Sequence, residues 1–184
     1  MIRKLSLLFA ALSAVPAAVF AQSPAPAANP ISASQSKMYT MLSGVVIAAA
    51  EKMPETNYSF KPTPEVRSFG QLVGHLADSQ YYFCALATGD TKTPPGIEKS
   101  KTGKDELIGA LKEAVAYCSK AYAGMTDSKG GETVKFLNTD FARLAVLAAN
   151  TAHDYEHYGN MVTYMRIKGI VPPTSEKAEG TAQK

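Results

Sequence analysis

A chain of 184 residues with 19 Lys and Arg against 16 Asp and Glu, a formal net charge of +3, has no basic run or face able to neutralise a row of phosphates. That excludes a nucleic-acid surface. Hydrophobic residues make up 46% of the chain, enough for one domain with a real core.

The chain opens with MIRK and continues LSLLFAALSAVPAAVFA, without charge up to Ala21. This is the layout of a secretory signal peptide, and residues 1–21 are expected to be cleaved. The apolar run is broken by Pro16, is short for a bilayer span and lacks a stop-transfer flank, so no stable membrane anchor is expected. The residue directly after the cut is Gln22, not a cysteine that could carry a lipid. Removing 21 of 184 residues leaves 163, and losing Arg3 and Lys4 leaves 17 basic residues against 16 acidic, a charge near +1. The expected location is periplasmic or secreted.

QSPAPAANPI, residues 22–31, is a Pro/Ala-rich linker, and the domain is expected over 32–175 with a flexible tail at 176–184. Ser32 and Gln35 have capping-box spacing, and Met38, Met41, Leu42, Val45, Val46 and Ala49 repeat at helical intervals to about Lys52. MPETNYSFKPTPEV, with three prolines, is an extended connection. Ser68 and Gln71 open a second helix that carries Leu72, His75, Leu76, Ser79, Tyr82 and Phe83 and stops at Gly89.

After the polar loop TGDTKTPPGIEKSKTG, Thr102 and Asp105 open a third helix that ends near Gly124. TVKFL is β-prone but has no convincing pairing partner, and Asn138 or Thr139 is expected to cap a last helix from about Asp140 to Lys168, closed by Gly169, Pro172 and Pro173. Four long helices without a βα alternation predict an all-α fold, a four-helix bundle. Cys84 and Cys118 fall on the second and third helices. In an oxidising compartment they are either a disulfide or two small buried apolar residues, and the count of two leaves both open.

The last helix has no charge between Arg143 and Asp154, so it is buried on more than one side. At about 100° per residue, Val146, Asn150, His153, His157, Asn160 and Tyr164 form one stripe, with Leu144, Thr151, Tyr155, Tyr158 and Val162 roughly opposite. A polar stripe on a buried helix needs partners, because each unpaired polar group costs about 1–3 kcal/mol. His153 and His157, four apart, can reach one ion from adjacent turns, and His75 on the second helix can supply a third ligand. The residues leave two readings open, a metal site and a hydrogen-bonded histidine core.

HDYEH places Asp154 where the H-E-x-x-H protease motif has its glutamate, but matches H-x-x-E-H with Glu156 as base. Only 27 residues follow His157, too few for a further ligand and a peptide cleft, so a protease is rejected. A di-metal bundle is rejected too, because the other two helices offer no inward glutamate; Glu51 and Glu113 read as surface residues. Asp154 and Glu156 are expected to point away from the metal and to meet Lys or Arg of another helix.

GHLAD on the second helix, its Tyr/Phe-rich continuation, and HDYEHYGNMVTYMRIKGIVPPTS near the C-terminus together resemble the DinB family of DinB/YfiT-like metalloenzymes, over most of residues 34–175. The resemblance implies a four-helix bundle, often a homodimer, with a divalent ion such as zinc or nickel on His75, His153 and His157. It also implies relatives among thiol-dependent S-transferases and a maleylpyruvate isomerase. An exported chain departs from the cytosolic thiol chemistry of those transferases.

The expected function is that of a metal-dependent hydrolase or transferase on an unknown small-molecule substrate. Three histidines leave a position open for water or substrate, the catalytic pattern for zinc. Asp78, one turn beyond His75, is the candidate proton acceptor or partner to a ligand, and Tyr82, Asn150, Asn160 and Tyr164 are candidate pocket residues. The rival is a non-catalytic exported bundle that binds a metal or ligand in a stress-related role. The two differ in whether an accessible polar pocket adjoins the histidines.

Overall fold

Ser68 accepts the Gln71 N–H, and the Gln71 side chain accepts the Ser68 N–H, so the second long helix starts at the capping box its spacing predicted. The computed structural model describes residues 28–176. The expected signal peptide, linker residues 22–27 and tail residues 177–184 lie outside the described residues. Six helices and one β-hairpin follow in chain order: α1 Pro30–Lys52, α2 Phe69–Thr88, α3 Ile97–Ser100, α4 Lys104–Ala123, α5 Asp127–Gly130, β1 Thr133–Phe136, β2 Thr139–Ala142 and α6 Arg143–Ile167. Among the described residues no helix is long and apolar enough to cross a membrane.

The fold is mainly helical. The long helices α1 and α2 each pack against both α4 and α6. Leu72, Val73 and Leu76 of α2, Leu107 and Leu111 of α4, and Met161 and Met165 of α6 fill the space between them. Gly89 ends α2 at φ 78°, the left-handed conformation that glycine adopts without strain.

Three local expectations are corrected. The first helix begins at Pro30, inside the expected linker, and has no capping box; the Asp127 carboxylate instead accepts the N–H groups of Ile31 and Ser32 from 95 or more residues away. The third long helix starts at Lys104 after Gly103, without a Thr102 cap. Residues 139–142 form a strand paired antiparallel with 133–136, so the last helix starts at Arg143 rather than Asp140. Leu137 and Asn138, at φ 51° and 62°, make the two-residue turn between the strands. Asn suits that conformation, whereas Leu hides it from a sequence reading.

Cys84 on α2 and Cys118 on α4 form a disulfide with Cα atoms 5.4 Å apart. Closing a loop across a separation of 34 residues removes unfolded-chain entropy worth about 3–4 kcal/mol. The Cys84→Ala, Cys118→Ala double variant should therefore unfold at a clearly lower urea concentration. An unchanged midpoint would mean that α2 and α4 hold each other without the bridge.

Candidate metal centre

His75 comes from the middle of α2, and His153 and His157 from successive turns of α6. The core between α2 and α6 turns all three inward. His153 Nε2 lies 3.1 Å from both His75 Nε2 and His157 Nε2, and ligand atoms of all three lie within 4.8 Å of one another. One imidazole nitrogen carries at most one proton, so His153 Nε2 cannot donate to both neighbours. Ligand nitrogens held tetrahedrally at zinc distances are roughly 3.3 Å apart. The donor set fits a divalent ion better than it fits a hydrogen-bonded histidine triad.

Burial, the largest cause, holds all three imidazoles below their usual range. Arg67 adds to this at His75, both neighbouring histidines do so at His153, which is pushed down to about 4, and His75 does so at His157. Their lone pairs are therefore free at neutral pH. Glu98 Oε2 is 3.1 Å from His75 Nδ1, and Glu98 Oε1 accepts Arg67 Nε–H at 2.8 Å. Burial alone would raise the Glu98 carboxyl, but Arg67 and His75 outweigh it and hold the group below its ordinary value. A carboxylate on Nδ1–H leaves the Nε2 lone pair of His75 facing the centre. The Asn160 amide lies 3.4 Å from His157 Nδ1, and the Phe83 ring packs 5.5 Å from that of His153, centroid to centroid.

Glu98 reaches His75 because α3 is fastened to α2. The Asp78 carboxylate accepts the N–H groups of Gly96 and Ile97 at 2.9 Å and of Glu98 at 3.0 Å. Gly74, one residue before His75, lets the α3 backbone approach so closely that a Cβ there would lie 2.7 Å from Glu98 Cα. Asp78 is thus an anchor for α3, not the proton acceptor its place beyond His75 suggested.

A cavity of about 620 Å³ opens beside His157, with Arg67, Glu98, Glu156, Asn160 and Tyr164 among its lining residues. Asn160 and Tyr164 both line this cavity, and the Tyr164 hydroxyl donates to the Arg67 carbonyl at 2.8 Å. Two pocket candidates are corrected. Tyr82 is 43% exposed, its ring against Phe83 and Phe136. Asn150 is fully buried, its amide donating to Gln80 and Tyr122, because α6 is buried on that side by α2 and α4. Asp154 points away from the histidines but meets no Lys or Arg; Gln80 Nε2 donates to both of its oxygens at 2.8 and 3.0 Å. Glu98, Arg67 and Gly74 went unnoticed in the sequence. Arg67 directly precedes the capping box, but nothing local marks Glu98 inside a Gly/Pro loop.

Residues 42–161 match the family model of the DinB superfamily, and the chain belongs to that superfamily. Solved structures show the same fold. A DinB-like protein from Bacillus cereus ATCC 10987 superposes with a TM-score of 0.65 at 15% identity, over 74% of this chain and 92% of its own. A DinB-like protein from Bacillus subtilis gives 0.64 at 20% identity, over 79% and 99%. The mycothiol-dependent maleylpyruvate isomerase gives 0.58 at 11% identity, over 73% of this chain and 65% of its own. No curated protein matches the sequence.

Proposed function

We propose that this is an exported four-helix bundle of the DinB superfamily that holds one divalent ion, zinc or nickel, on His75, His153 and His157 and uses it as a hydrolase or transferase toward a small molecule. The convergence of three imidazole nitrogens, one of them, His157, lining an accessible cavity, carries the reading. When bound, the ion would supply Lewis-acid chemistry toward a substrate oxygen or sulfur, or toward water.

The chain's own residues have the following parts. Glu98 fixes the tautomer and ring plane of His75. Phe83 closes off one side of His153 from water, and the Asn160 amide sits against the outer nitrogen of His157. Substrate would occupy the cavity that Tyr164 and Asn160 line together with His157. The accessible cavity also favours catalysis over a purely structural site, which would be closed. Export rests on the N-terminal MIRK and the uncharged run to Ala21.

The test is elemental analysis of protein purified without chelator or immobilised nickel, beside His75→Ala and His153→Ala. About one equivalent of a divalent ion in the parent protein, lost in both variants, is the expected result. A parent protein that holds no ion and takes up none on titration would overturn the proposal and leave a hydrogen-bonded histidine core.

A further inference from the structure

We infer that Arg67 makes the cavity beside His157 a binding site for the carboxylate group of a small organic acid. The inference rests on the metal reading above and names a substrate class for the same site.

Arg67 is held at both ends. Its Nε–H donates to Glu98 Oε1 at 2.8 Å, and its carbonyl accepts the Tyr164 hydroxyl at 2.8 Å. Among the described residues its terminal nitrogens have no protein acceptor, and the residue lines the cavity. A guanidinium fixed through Nε presents its remaining N–H groups as a planar fork, the geometry that a carboxylate accepts in pairs. The charge is permanent, since arginine does not deprotonate in proteins. Holding this side chain in place gives up rotamer freedom, and the structure shows no protein anion that makes use of the free end.

The other walls describe the rest of the ligand. Pro62, Val66, Leu72 and Tyr164 offer an apolar and aromatic surface, and about 620 Å³ is in the range of small-molecule sites. Glu98 is already committed to Arg67 and His75. Glu65 and Glu156 also line the cavity; both are exposed, as is Arg67 at 41%, so water and salt screen all three charges, and what sets Arg67 apart is that its Nε–H is fixed on Glu98. The two glutamates disfavour a ligand with several negative charges. A single carboxylate on a compact apolar body suits the remaining surface.

The experiment is calorimetric titration of the zinc-loaded full chain with phenylacetate and with its neutral amide, phenylacetamide, on the parent protein, Arg67→Met and Arg67→Lys. Zinc content is measured in every sample. Phenylacetate should bind the parent protein, with the amide roughly tenfold weaker or more. Arg67→Met should lose roughly tenfold or more toward phenylacetate, and Arg67→Lys should fall between, because an ammonium keeps the charge without the fork. Equal affinity in parent and Arg67→Met, or no binding to zinc-loaded parent protein, would overturn the inference and leave the metal reading standing. A parent protein without zinc would overturn the metal reading itself, and this site with it. If Arg67→Met fails to hold zinc, the Arg67→Lys comparison decides.

Discussion

Gly74→Ala should weaken zinc binding at the proposed three-histidine site by about 10- to 100-fold while changing the stability of the chain little. The two effects separate because they act on different parts of the fold. In the middle of α2 an alanine gains about 1 kcal/mol of helix propensity over glycine. Its Cβ would meet Glu98 Cα at 2.7 Å and Glu98 N at 2.9 Å, and both atoms are backbone, so no side-chain rotation relieves the contact. Overpacking of this kind costs about 1–3 kcal/mol in a rigid core. Here the neighbour is a four-residue helix in a loop, and it can back away instead. Backing away stretches the bonds from Asp78 to Gly96, Ile97 and Glu98, and it withdraws the Glu98 carboxylate from His75. The loss then appears in metal affinity, through the Nδ1–H partner of one ligand. Competition against a chelator measures it. Glu98→Gln, which keeps the packing, should lose a similar factor, and the double variant should lose little more, because both changes break one interaction. Undiminished zinc affinity in Gly74→Ala would show that α3 does not support the site.

The parts of this molecule that the sequence disclosed are those whose physics is local or periodic. The capping box at Ser68 and Gln71, the stop at Gly89, and the stripe that carries His153, His157, Asn160 and Tyr164 each follow from residues within a few turns of one another. The cluster with His75 needed one further step, that two helices of opposite direction pack face to face. The features missed depend on contacts between distant segments. Asp127 caps α1 across 95 residues, and Asp78 fastens a short helix about twenty residues ahead. Asp78 was noticed for its nearness to His75 along the chain, but its carboxylate turns to three backbone N–H groups that a short helix otherwise leaves unpaired. Asn150 shares the histidine stripe, yet α6 is buried on so wide an arc that one stripe serves both the histidine cluster and the core. Periodicity gives direction around a helix and leaves open where along the axis the surroundings change from cavity to core.

Gln80→Leu should destabilise the protein by about 1–3 kcal/mol, a large part of the stability of a domain this size. Gln80 and Asp154 are each 1% exposed. Gln80 Nε2 donates to both Asp154 oxygens, and its Oε1 accepts from the Tyr39 hydroxyl and from Asn150 Nδ2 at 3.0 Å. Burial pushes the Asp154 carboxyl up to about 7, against the Gln80 bonds that lower it. The partners of Gln80 are not equally exposed to its loss. Tyr39 still has the Val115 carbonyl at 3.3 Å, and Asn150 still has the Tyr122 hydroxyl at 3.3 Å. Asp154 has no other partner among the described residues; already pushed up to about 7, its carboxyl takes up a proton when the Gln80 bonds are lost, and leaving it buried and unpaired costs about 1–3 kcal/mol. Replacing both partners, Gln80→Leu with Asp154→Leu, removes the orphan, so most of the loss should return in urea unfolding with chelator present. If Gln80→Leu alone leaves the midpoint unchanged, Asp154 has found water or another donor, and the pair is not a structural unit. The double variant also separates stability from register. Asp154 sits about 100° round the helix from His153, and its bond to Gln80 is a second tie between α6 and the same helix α2 that carries His75, placed to hold the rotation that aims His153 and His157 at His75. A stable double variant with weakened zinc binding would assign the pair to register, as buried polar pairs do in coiled coils; undiminished zinc binding would show that the apolar packing of Met161 and Met165 alone fixes that rotation.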